Sequence, residues 1–153
     1  MAAMGFGLVT VWVDAVAITA TLAAADARHR GMRLLGLNID ARQLEVCAGL
    51  PPRPGNVLAW LQADAVALPL AGASVDRLLC VEALFHFGSR RRFLHEAARV
   101  LVPGGRLVAS DIVLRPSDDA AADAAAAAVL DAGFGPWPDP WGGEGSLPTL
   151  AAE

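Results

Sequence analysis

A chain of 153 residues, 55% hydrophobic and 18% charged, is long enough for one sizeable core and too apolar for a disordered segment. Its net charge of −4 supplies no basic field for nucleic acid, and the one dense basic run, Arg90-Arg91-Arg92, reads as the solvated first turn of a helix. Cys47 and Cys80 stand far apart and outside any CxxC, which suggests neither a zinc site nor a disulfide framework and fits buried, reduced thiols in the cytoplasm.

From Met4 to Ala25 the only charge is Asp14, so the run has the length of a signal peptide or a membrane span. No Lys or Arg precedes it, and Asp14 near the bilayer centre costs about 2.5–3.5 kcal/mol, so neither secretion nor membrane insertion is expected.

Leu8 to Val13 is a β-branched and aromatic run, expected as a buried strand, and Ala15 to Arg30 reads as a helix stopped by Gly31. Met32 to Ile39 is a second strand. Asp40 then caps a short helix in a D-x-x-Q box with Gln43, and Leu44, Cys47 and Ala48 share its inner face. Pro51, Pro52, Pro54 and Gly55 form a loop before a third strand, Asn56 to Gln62. A second loop carries Asp64, Pro69 and Gly72 to a fourth strand, Val75 to Val81.

Ser89 caps the next helix, in which Phe93, Leu94, Ala97, Val100 and Leu101 recur at helical spacing. Pro103-Gly104-Gly105 suits a type II turn, with Gly104 at the positive-φ position, and Arg106 to Val113 is a fifth strand. Ser117 is then expected to cap an alanine-rich helix with Asp118 and Asp119 in its first turn and Gly133 at its end. Strands alternating with helices give a single α/β domain with a doubly wound, Rossmann-like parallel sheet. The core occupies residues 1–113, with 1–20 atypical, and 114–153 comprise the alanine-rich helix and a Pro, Gly and Trp-rich tail.

Ligands of open α/β sheets bind outside the carboxyl ends of the strands. The polar residues there are Asn38 and Asp40, Asp64, Glu82 and His86, and Ser110 and Asp111, with Phe85 among them. Three blocks along this edge, GLNIDARQLEVC, QADAVALPLAGASVDRLLCVEALFHF and FLHEAARVLVPGGRLVASDIV, resemble the class I S-adenosylmethionine-dependent methyltransferases of the type 11 kind. The resemblance runs in continuous order from Gly31 to about Val113, and the L-x-P-G-G-x-L pattern is its most specific piece.

That resemblance implies S-adenosylmethionine as cofactor and a small-molecule methyl acceptor. It places the ribose-holding position on Asn38 with Ile39 beside it, the adenine position on Asp64 with Ala65, and the methionine end near Asp14 and Glu82. Asn38 is an amide where the family carries an acid, and an amide still donates and accepts to a diol. His86 is the expected general base for a hydroxyl acceptor, since an imidazole ordinarily titrates near neutral pH, and Glu82 lies four residues before it. No third ligand joins this pair, so no metal is expected. Phe85 and Phe87 either line the acceptor pocket or belong to the core.

The family's first strand leads into a GxGxG loop whose bare backbone lets the cofactor approach. Asn38 follows Asp14 by 24 positions, close to the interval of about 20 expected from such a loop. The glycine positions fall near Val16, Ile18 and Ala20, however, and the two strands expected after Val113 are not legible. The chain therefore reads as a methyltransferase with a degenerate glycine loop and a truncated C-terminus. The alternative is a catalytically impaired, methyltransferase-like binding module or remnant. A nucleotide-dependent oxidoreductase is disfavoured, because it needs those glycines even more.

Overall fold

The computed structural model describes residues 9–14, 31–49, 54–112, 114 and 116–134. Five strands, β1 (Val9–Asp14), β2 (Arg33–Asn38), β3 (Val57–Gln62), β4 (Val75–Val81) and β5 (Leu101–Ala109), form one sheet in the order β3-β2-β1-β4-β5. Every neighbouring pair is parallel. Helix α1 (Ala41–Ala48) follows β2, α2 (Arg90–Val100) precedes β5, and α3 (Ala120–Phe134) follows it. The expected helix from Ala15 to Arg30, the glycine-loop positions Val16, Ile18 and Ala20, and the tail beyond Phe134 lie outside the described residues.

Alternation along the strands builds a core on each face of the sheet, as a doubly wound fold requires. In β4, Leu78 and Cys80 enter one cluster with Phe93, Ala97 and Val100 of α2, while Leu79 and Val81 pack against the other, formed by Met32, Leu34 and Cys47. Both cysteines are buried thiols, not joined in a disulfide. Leu44 and Cys47 form the inner face of α1, whereas Ala48 is exposed.

Two helix starts differ from the expected ones. At α1, Asp40 is the N-cap and accepts from the Arg42 N–H at 2.9 Å, but Gln43 does not close the box. The Asp40 N–H is already held by Asn38 Oδ1 at 2.8 Å, and Gln43 Oε1 accepts instead from Asn38 Nδ2 at 2.8 Å. At α3 the cap is Asp119, which accepts from the N–H groups of Ala121 and Ala122 at 2.9 and 3.1 Å. Ser117 sits before it and donates through Oγ to Asp123 at 2.8 Å. Gly133 does not end this helix, which runs to Phe134.

Strand β5 begins earlier and ends earlier than the sequence suggests, because the Pro103-Gly104-Gly105 turn is taken up inside it. Val75 pairs with Leu101 and Arg77 with Arg106, so the extra residues bulge out of the ladder. Gly104 has φ +81°, the conformation the type II turn demanded. A Cβ at Gly105 would stand 2.9 Å from the Val102 carbonyl oxygen. Gly105→Ala is accordingly expected to cost about 1–3 kcal/mol in urea unfolding, by overpacking against backbone. An unchanged midpoint would show that the bulge yields freely.

Among the described residues no helix is long and apolar enough to cross a membrane, and no three or more His, Cys, Asp or Glu side chains gather as for a metal ion.

Candidate functional site

The chain winds outward from β1 through β2 to β3, then crosses back to place β4 on the other side of β1. Open α/β sheets with such a reversal take their ligands outside the carboxyl ends of the strands that flank it, here β1 and β4. Asp14 pairs with Val81 there, so the backbone of Asp14, the end of β2 at Asn38 and the residue after β4, Glu82, lie in one row.

Asn38 is buried at 4% exposure, and its amide closes the turn into α1 through the bonds to Asp40 and Gln43. Ile39 beside it is exposed, and its carbonyl accepts from Gln62 Nε2 at 3.1 Å. The Asn38 carbonyl accepts from the Ala63 N–H at 3.0 Å, which ties the end of β2 to the loop after β3. Asp64 then forms a tight turn. Its Oδ1 accepts from the Val66 N–H at 3.0 Å and its carbonyl from the Ala67 N–H at 3.1 Å. Ala65 is buried beneath this turn, while the Asp64 carboxylate is exposed.

On the other side of β1, Glu82 adopts φ +53°, a left-handed conformation uncommon outside glycine. Ser110, just past β5, supports it from both ends. The Glu82 N–H donates to Ser110 Oγ at 2.9 Å, and that hydroxyl donates to Glu82 Oε1 at 3.2 Å. Residues Leu84–His86 form a 3-10 turn starting after Glu82, so the i, i+4 pairing of Glu82 with His86 on one α-helix is not made. His86 is half-buried, with its ring 4.3 Å from that of Phe85. Phe87 packs into the core, 5.1 Å from the fully buried Phe93.

Arg90 corrects the reading of the basic run. Arg91 and Arg92 are exposed, but the Arg90 and Asp111 side chains are 3% and 6% exposed, with Nε of Arg90 donating to Asp111 Oδ2 at 2.6 Å. The loop from Glu82 to Arg90, which carries His86, is thus fastened at both ends to the consecutive residues Ser110 and Asp111. A signal for this was present: Arg90, Phe93, Ala97 and Val100 follow the i, i+3, i+7, i+10 spacing of one helix face, and all four are buried.

Residues 15–109 match a protein family described as a methyltransferase domain. Over 100 residues the chain is 39% identical to the methyltransferase GfsG of Streptomyces halstedii, covering 64% of this chain and 36% of that one. Over 110 residues it is 36% identical to an O-methyltransferase of Pyrenophora dematioidea, covering 69% and 41%. The chain therefore spans about two-fifths or less of the length of these curated relatives. A crystal structure from Bacillus halodurans C-125, assigned provisionally to the methyltransferases, superposes with a TM-score of 0.69 at 21% identity, over 99% of this chain and 64% of that one. The likeness at that identity is one of fold.

Proposed function

The chain belongs to the class I S-adenosylmethionine-dependent methyltransferase family, and from that premise we propose that it methylates a small-molecule acceptor, with a hydroxyl oxygen as the favoured atom. The observation carrying this reading is the row formed by Asp14, Asn38 and Glu82 at the switch point, with the Asp64 turn tied to it through Asn38. The O-methyltransferase likeness supports the choice of oxygen; amine and carbon acceptors are the alternatives.

The residues present fit the cofactor on one side. Asp64 uses Oδ1 within its own turn, and its Oδ2 carries no hydrogen bond among the described residues, which leaves an acceptor for an exocyclic amine. In this reading Asn38, at the end of β2, stands nearest the ribose, and Ala65, buried beneath the Asp64 turn, gives a small apolar floor. When bound, S-adenosylmethionine supplies a methyl group on a sulfonium, which is already a good leaving group. What remains for the protein is to align the acceptor, exclude water and take up its proton. In this reading His86 accepts the hydroxyl proton, and Glu82, fixed by Ser110, borders the acceptor beside it.

A second reading, a binding module that keeps the fold without turnover, draws on Asn38, whose amide is engaged by Asp40 and Gln43. Calorimetric titration with S-adenosylhomocysteine separates the two. The enzyme reading expects saturable binding, weakened about ten- to a hundredfold by Asp64→Ala through loss of one charge-assisted hydrogen bond. A folded protein that takes up no S-adenosylhomocysteine overturns it in favour of the second.

A further inference from the structure

The Asp64 turn is held from a distance by α2. The carboxylate of Glu96 accepts from the Leu68 N–H at 2.8 Å, and Arg99 donates to the carbonyls of Leu68 and Leu70, both at 2.8 Å. Arg99 also grips Glu96 through two bonds of 2.8 and 2.7 Å, a fork that sets both side chains at once. Arg99 hydrogen bonding holds the Glu96 carboxyl below its usual range, so it stays ionised in this role.

The same segment returns the grip through its backbone. Ala73 and Ser74 donate their N–H groups to the carbonyls of Arg99 and Val100 at 3.0 and 2.8 Å, satisfying acceptors that a helix end otherwise leaves open. Leu68 itself is 4% exposed and belongs to the core. Between Ala63, bonded to Asn38, and Leu68, bonded to Glu96 and Arg99, only four residues intervene, and Asp64 is the first of them. The carboxylate is therefore anchored on both flanks, and the far anchor is side-chain chemistry rather than the sheet.

We propose that Glu96 and Arg99 are positioning residues for base recognition: by clamping Leu68 and Leu70 they fix the Asp64 turn, and through it the preference for adenine over a base lacking the exocyclic amine. This rests on the cofactor reading above. Neither residue touches the ligand in this account. Their effect is on selectivity, which a group serving only the stability of the fold would not move.

The test compares S-adenosylhomocysteine with S-inosylhomocysteine, in which a carbonyl replaces the amine, by calorimetry on the wild type, Arg99→Ala, Arg99→Lys and Glu96→Ala, with urea unfolding as a check on folding. The wild type is expected to favour the adenine compound by about ten- to a hundredfold. In Arg99→Ala that ratio falls toward one, with faster hydrogen exchange over residues 64–70. Should Arg99→Ala not fold, Arg99→Lys carries the test, since one ammonium cannot reproduce the fork to Glu96 and to both carbonyls. Folded variants that keep the wild-type ratio overturn the proposal alone, whether or not exchange quickens. A wild type that binds both compounds equally also overturns it, by removing Asp64 from base recognition. A wild type that binds neither overturns the cofactor reading and the proposal together.

Discussion

Arg90→Ala is expected to lower the unfolding free energy by about 3–5 kcal/mol, because it leaves the Asp111 carboxylate buried without its partner. Asp111 is 6% exposed on its side chain, too little for water to replace the guanidinium. Its Oδ1 is engaged by the Ile112 N–H at 2.9 Å, while Oδ2 faces the emptied site. For a domain whose whole stability is on the order of 5–15 kcal/mol, such a loss is roughly a fifth or more of the total. Urea unfolding measures it directly. The double variant Arg90→Met with Asp111→Leu should recover most of the loss, since apolar side chains of similar volume carry no charge to desolvate. A single variant within 1 kcal/mol of wild type would mean that water reaches Asp111, and that the ion pair does not anchor the loop to β5.

This ion pair marks the limit of what the sequence discloses. Strands β2, β3 and β4 were legible to within a residue at each end, because apolar runs bounded by Asp, Pro and Gly admit few other readings. The Ser89 cap was legible for the same reason, and its Oγ accepts from the Arg92 N–H at 3.2 Å. Arg90 was misread because charge outweighed position: three consecutive arginines resemble a solvated patch, although the first of them falls on the Phe93 face. The capping box at Asp40 failed for a related reason. A local pattern of Asp and Gln takes no account of Asn38, which the end of β2 delivers to the same N–H.

The candidate site divides along the same line. Which residues end the strands follows from pattern, so Asn38, Asp64, Glu82 and His86 all stand at the carboxyl edge. How each is held does not follow, since Ser110 reaches Glu82 and Arg99 reaches Leu68 across 28 and 31 positions of sequence. Contacts of that span are made by the sheet order, and no local window contains them.

His86→Gln is expected to lower kcat about 10²–10⁴-fold on a hydroxyl acceptor, the usual contribution of a positioned general base, while S-adenosylhomocysteine binds as in the wild type. Glutamine keeps a polar group of similar reach but cannot take up the acceptor's proton at neutral pH. The placement of His86 makes the distinction measurable. It sits in the 3-10 turn beside Phe85 and on the opposite side of β1 from Asn38 and Asp64, so its replacement leaves the residues proposed for the nucleoside untouched. Equal losses of kcat and of S-adenosylhomocysteine affinity would assign His86 to the packing of the turn. A variant active on an amine acceptor but silent on a hydroxyl would assign it to the proton, because a neutral amine attacks the methyl carbon without first losing one.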